Sequence, residues 1–146
     1  MNPQFDITQA RDMPKVVISG NYYKDKCFPS LNNLLAGFAR SPQIGGTIKR
    51  KYKNICINDI REQLPHYKAQ KPLIIHYRIF EPIHGQKRDV MNVVSMIDKC
   101  FEDGLQDCGV IPNDDPKHVL NATHDVFYIE GEPYIEIYLE EVEEDG

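Results

Sequence analysis

Carboxylates bracket the stretch from 87 to 115, KRDVMNVVSMIDKCFEDGLQDCGVIPNDD. Asp89 follows the basic pair Lys87-Arg88 at its start. Asp114 and Asp115 follow the turn Pro112-Asn113 at its end. Hard cations such as Mg²⁺ take oxygen ligands, so acids at both ends of one short unit suit a divalent-metal site. The same acids also have a plain structural reading. Asp is a common helix cap and a common turn residue, and Pro116 follows the second pair at once.

A helix must lie between these ends. Val90, Val93, Val94, Ile97, Phe101, Leu105 and Cys108 recur at intervals of three and four, which makes one narrow apolar stripe. Asp89 stands where an N-cap belongs, and Gly109 follows as a C-terminal stop. Before this unit, Leu73-Ile74-Ile75-His76-Tyr77-Arg78-Ile79-Phe80 is the longest β-rich run and predicts a central strand ended by Glu81-Pro82. After it, Asp125 to Ile129 and Tyr134 to Leu139 predict a hairpin about the turn 130–133.

The first half supplies the remaining elements. Lys15 to Gly20 predicts the first strand, after a loose leader over residues 1–13. Ser30 caps a helix from Leu31 to about Arg40, which Ser41-Pro42 ends. Gly45-Gly46 reads as a flexible joint, and Thr47 as the cap of a second helix that Pro65 terminates. The order β-α-α-β-α-β-β predicts one α/β (α+β) domain over 1–146, a small mixed sheet packed with helices, closing in an acidic tail over 140–146.

Bulk properties exclude several classes. No run of about 18 apolar residues exists, so no membrane span is expected. The polar stretch 1–14 has no signal-peptide core, so a cytoplasmic location is expected. Cys27, Cys56, Cys100 and Cys108 lack zinc-ligand spacing and read as reduced, buried thiols. The five histidines never pair at i, i+4, and no Gly-x-Ser-x-Gly elbow occurs. His84 reads as a solvated loop residue near Asp89.

Net charge is −5, but its distribution is uneven. Six acids and no base lie from Glu136 onward; without those six, the 22 acids fall to 16 against 17 bases. Arg40, Lys49, Arg50, Lys51 and Lys53 cluster with no acid among residues 40–58. Lys68, Lys71, Arg78, Lys87 and Arg88 form a second group. Such asymmetry fits either a phosphate-binding face or a solvated charged surface. Tyr22 and Tyr23 with Lys24 and Lys26 add a candidate base-stacking loop, or simply half-buried loop packing.

The stretch 87–115 resembles the signature of the RusA-like Holliday junction resolvases. That pattern is a basic residue, Asp-x-Asp-Asn, a helix with a Lys and an Asp, an "aGvi" turn and an Asp-Asp pair. The matching pieces are Arg88, Asp89, Asn92, Lys99, Asp103, Gly109-Val110-Ile111 and Asn113-Asp114-Asp115. Phe28-Pro29-Ser30-Leu31-Asn32, the strand end Tyr77 to Pro82 and Pro133-Tyr134-Ile135-Glu136-Ile137 extend the resemblance over most of the chain. It implies a homodimer that makes paired nicks in four-way DNA junctions with Mg²⁺ or Mn²⁺. By carry-over Asp89 and Asp114 are the main metal ligands, with Asp115 and Asp103 as weaker candidates. Lys99 would stabilise the anionic transition state or form an ion pair. Asn92 would orient ligands. Arg88, Lys87 and the cluster Lys49, Arg50, Lys51 and Lys53 would hold phosphates.

One position departs from that pattern. Met91 stands where the family has an Asp, and a thioether is a poor ligand for a hard cation. Asp98 is on the same helical side but roughly 10 Å further along a regular helix. Three expectations follow: a metal-dependent structure-specific endonuclease, a branched-DNA-binding protein with a decayed nuclease site, or a small acidic protein-binding domain.

Overall fold

A computed structural model describes residues 3–19, 28–85 and 87–143. The chain is a mixed α/β fold in the expected order. It consists of β1 (Lys15–Ser19), α1 (Leu31–Arg40), α2 (Pro42–Gln63), β2 (Leu73–Pro82), α3 (Val90–Asp107), β3 (Val119–Ile129) and β4 (Tyr134–Glu141). The segment holding Tyr22, Tyr23, Lys24, Lys26 and Cys27 lies outside the described residues. Among those residues, no helix is long and apolar enough to cross a membrane.

The four strands form one sheet in the order β1-β4-β2-β3. The expected β3–β4 hairpin does not form. β3 pairs with β2 in parallel, and β4 passes beyond β2 to pair antiparallel with both β1 and β2. Burial explains the choice. Ile135, Ile137 and Leu139 of β4 are all buried, which an interior strand can satisfy on its core face. β3 carries exposed Leu120 and Asn121 and takes the edge. The helix α3 returns the chain to the starting end of β2, which is what makes β3 parallel to it.

All three helices pack on one face. Val16, Ile18, Ile75, Tyr77, Ile79, Ile137 and Leu139 from the sheet join Leu34, Tyr52, Cys56, Ile60, Met96, Ile97, Cys100 and Phe101 from the helices in one core. Burial raises the thiol pKa of Cys56, and likewise that of Cys100, so both behave as small neutral hydrophobes. β2 is interior, as its continuous apolar run predicts.

The α1–α2 corner corrects one expectation. Gly45-Gly46 is no joint, because α2 already starts at Pro42 with the Ser41 hydroxyl accepting from Ile44 N at 3.0 Å. Pro at the first helical position costs no hydrogen bond and fixes a helical φ, which makes Ser-Pro a strong start. Gly45 sits inside the helix for packing: a Cβ there would lie 2.2 Å from Cγ of Phe38. The two helices can meet only because that side chain is missing.

Among the described residues, the segments near both ends are tied to the sheet. The described part of the expected loose leader, residues 3–13, is docked on the other sheet face. Gln4 N and Phe5 N donate to the Asp125 carboxylate at 2.8 and 3.1 Å, and Phe5 stacks on His76 at 4.0 Å. A buried Phe5 explains this, since its ring leaves water against Tyr138 and His76. In the expected acidic tail, Glu140 and Glu141 belong to β4. Glu140 pairs with His76 at 2.8 Å, and Glu141 accepts from Tyr67 Oη, Gln70 N and Lys71 N.

Asp59 marks a local weakness on α2. Its Oδ2 is buried with no hydrogen-bond partner. Burial, and then the charge of Glu62, push its pKa up to about 6, against a hydrogen bond from Gln63 that pulls it down. An acid with a raised pKa favours the fold while protonated. That contribution is complete below its ordinary value of 3.8 and is lost as pH rises through about 6. Asp59→Asn is therefore expected to stabilise the fold by about 1–2 kcal/mol above neutrality and to lose the advantage in acid. Urea unfolding of both proteins on either side of that window checks it; an unchanged difference would show that the carboxylate is hydrated.

Candidate metal and phosphate site

The helix α3 is built as its pattern predicts. Asp89 caps it, accepting from Met91 N at 3.0 Å, and the chain leaves at Gly109 with φ 74°. Val93, Val94, Met96, Ile97, Cys100, Phe101, Gly104 and Leu105 face the core. The opposite stripe, spaced three and four apart, is polar.

That stripe lines a cleft of about 570 Å³. Ser95, Asp98, Lys99, Glu102 and Asp103 come from α3, Leu31 from α1, Lys49 from α2 and Asp114 from the loop beyond α3. A buried tyrosine forms part of the support: Tyr77 Oη, from the centre of β2, donates to Asp98 Oδ1 at 2.6 Å. Glu102, one turn after Asp98, has its pKa raised far above the carboxylate range. Burial is the largest cause, followed by a hydrogen bond with Asp98 and then by the charges of Asp98, Asp114 and Asp103. In physical terms, burial and then the neighbouring negative charge both disfavour the ionised form of Glu102.

The sequence-expected residues divide into two groups. Asp98, Asp103, Asp114, Lys99 and Lys49 meet at the cleft. Asp89 does not line it; its carboxylate caps the helix and is solvent-exposed. Asp115 is also outside. It accepts from His118 Nδ1 at 2.7 Å and from Lys117 N at 3.0 Å, and the His118 bond is the main cause of its lowered pKa. Of the two adjacent acids, then, Asp115 builds the turn and Asp114 faces the cleft. Asn92 does not line the cleft either; its backbone N–H bonds the Asp89 carbonyl at 3.1 Å.

The expected phosphate ligands also separate. Arg88 already has partners inside the fold. Its Nε and Nη2 donate to both oxygens of buried Glu81 at 2.8 and 3.1 Å, and Nη1 donates to Phe28 O at 2.6 Å. Lys53 pairs with Asp107 at 3.1 Å. Lys87 donates to Ile83 O at 2.9 Å and lies 4.1 Å from the Tyr128 ring centre. Lys51 lies 5.4 Å from the Tyr52 ring centre, and Arg50 reaches Thr47 Oγ1 at 3.4 Å. Lys49 is the member of the cluster that borders the acids. His84 is exposed and pairs with Glu130 at 3.1 Å, as a solvated loop residue would.

Glu102 and Ser95 were not singled out by the sequence. The signal for Glu102 was Asp98 and Glu102 at i, i+4, a like-charge pair that a solvated helix disfavours. Its chemistry fits a divalent cation. Carboxylate oxygens are hard donors, and a cation of charge two would offset the negative charge that Asp98, Asp114 and Asp103 place around Glu102. As the side chains stand, no three His, Cys, Asp or Glu among the described residues form a ready metal-holding group. No protein-family model matches the chain, and no curated protein matches it in sequence.

Proposed function

We propose that this chain is a divalent-metal-dependent, structure-specific endodeoxyribonuclease of the RusA-like type, acting in the cytoplasm as a homodimer on four-way or otherwise branched DNA. The observation that supports the reading is one cleft lined by Asp98, Glu102, Asp103 and Asp114 together with Lys49 and Lys99. Asp98, Glu102 and Asp114 would hold Mg²⁺ or Mn²⁺, with Asp103 beside them. The cation would supply charge neutralisation at the phosphate under attack. Lys49 and Lys99 bring ammonium groups to the same cleft, suited to a phosphodiester's oxygens and to the charge that grows on them during hydrolysis. Arg50 and Lys51, on the following residues of α2, extend positive charge along that helix for backbone phosphates. Two copies related by a two-fold axis would cut two equivalent strands.

A second reading keeps the DNA and drops the cutting. Met91, which stands where the resemblance implies an Asp, is 56% exposed in the first turn of α3 and offers no oxygen. A branched-DNA-binding protein with an impaired site fits that substitution.

A synthetic four-way junction distinguishes the readings. Paired nicks in Mg²⁺ or Mn²⁺, absent in EDTA, are the expected result. Binding that weakens steeply with salt but leaves both strands intact under either metal would favour the binding protein. No salt-dependent affinity at all would sink both readings.

A further inference from the structure

The buried hydroxyl beneath the cleft carries an inference that rests on the metal-site reading above. We infer that Tyr77 is a positioning residue: its phenol fixes Asp98 from below, so that Asp98 serves as the anchoring carboxylate where Met91 leaves none.

The geometry is specific. Tyr77 is fully buried at the middle of β2, and its ring packs edge-on against Phe101 of α3 with centroids 6.1 Å apart. The ring therefore cannot swing, and its hydroxyl has one direction in which to donate. It donates to Asp98 Oδ1 at 2.6 Å, from the interior side of the helix. A phenol hydroxyl carries a proton to give, and the carboxylate is the acceptor it meets. One oxygen of Asp98 is thereby held by the core, and the carboxylate is fixed between sheet and cleft. A side chain locked this way has lost its rotamer freedom before any ligand arrives, which is how an outer partner strengthens a metal ligand. Met91, by contrast, has an exposed side chain at the helix start.

The role differs from that of an ordinary buried hydrogen bond. A structural bond lost in Tyr77→Phe lowers stability and leaves cation affinity alone. A positioning bond changes affinity as well. Titration of the full chain with Mn²⁺, read from the loss of the free-ion electron paramagnetic resonance signal, separates the two. Tyr77→Phe is expected to weaken Mn²⁺ binding by about 10-fold or more. Asp98→Asn is expected to weaken it further, and the double variant to match Asp98→Asn, because Tyr77 acts only through Asp98. Asp98→Glu keeps the charge but carries it one methylene away from the phenol. It is expected to bind as weakly as Tyr77→Phe, which keeps the test open if that variant does not fold. Wild-type affinity in Tyr77→Phe or in Asp98→Glu overturns the positioning role and leaves the metal site standing. No Mn²⁺ binding by the unaltered chain overturns the metal site and the positioning role together.

Discussion

Asp98→Asn is expected to reduce junction nicking by about 10³-fold or more, the loss of several kcal/mol of charge stabilisation, whereas Asp89→Asn leaves it within about tenfold. The contrast follows from placement. Asp98 lines the cleft with Glu102 and Asp114, while Asp89 spends its carboxylate on the amide of Met91. Both substitutions preserve local structure. Asn caps a helix about as well as Asp, so Asp89→Asn removes charge without unfolding α3. At position 98, an Asn oxygen can still accept from Tyr77. Single-turnover cleavage of a labelled junction measures both. Silence in Asp89→Asn with activity in Asp98→Asn would move the chemistry to the helix start, where the family resemblance puts it. Glu102→Gln supplies an independent check, because it removes a cleft carboxyl and keeps the side chain's size.

Arg88→Ala is expected to give the largest loss of stability, about 3 kcal/mol, because removing one partner of a buried ion pair strands the other charge. Glu81 is 7% exposed, and both of its oxygens are bonded to Arg88. The same guanidinium ties down Phe28 O, close to the start of α1. A loss of that size corresponds to a melting temperature roughly 6–12 °C lower for a chain of this length. Replacing the pair together, Arg88→Met with Glu81→Leu, is expected to recover most of it, since apolar groups of similar size need no partner. Thermal unfolding of the single and double variants decides. A drop of under about 1 kcal/mol in Arg88→Ala would mean that Glu81 finds water, and would free Arg88 for a phosphate.

How much was legible beforehand depended on the range of the interaction. Local patterns were enough for each element's type and for most boundaries. Ser30 caps α1 at the expected place, Asp89 caps α3, and Gly109 stops it. Errors came where two distant segments had to meet. Gly45 reads as a joint until the Phe38 ring is seen against it. The leader reads as loose until Phe5 is seen on His76. The β3–β4 hairpin was the natural reading of two strands about a short turn, yet the more apolar β4 took the interior.

The sequence by itself determined the mixed α/β class, the element order, the apolar face of α3 and the acids available for chemistry. These follow from periodicity and capping, which act within a few residues. Only the tertiary structure decided which acids share a cleft. A helix pattern puts Asp98 and Glu102 on one side, but the loop that returns Asp114 to them has no period. It is set by where Val110 and Ile111 bury themselves in the core. The same holds for Arg88: a basic residue beside an acid looks like a phosphate ligand in one dimension. It becomes a strut only when the fold brings a buried carboxylate within 2.8 Å of it.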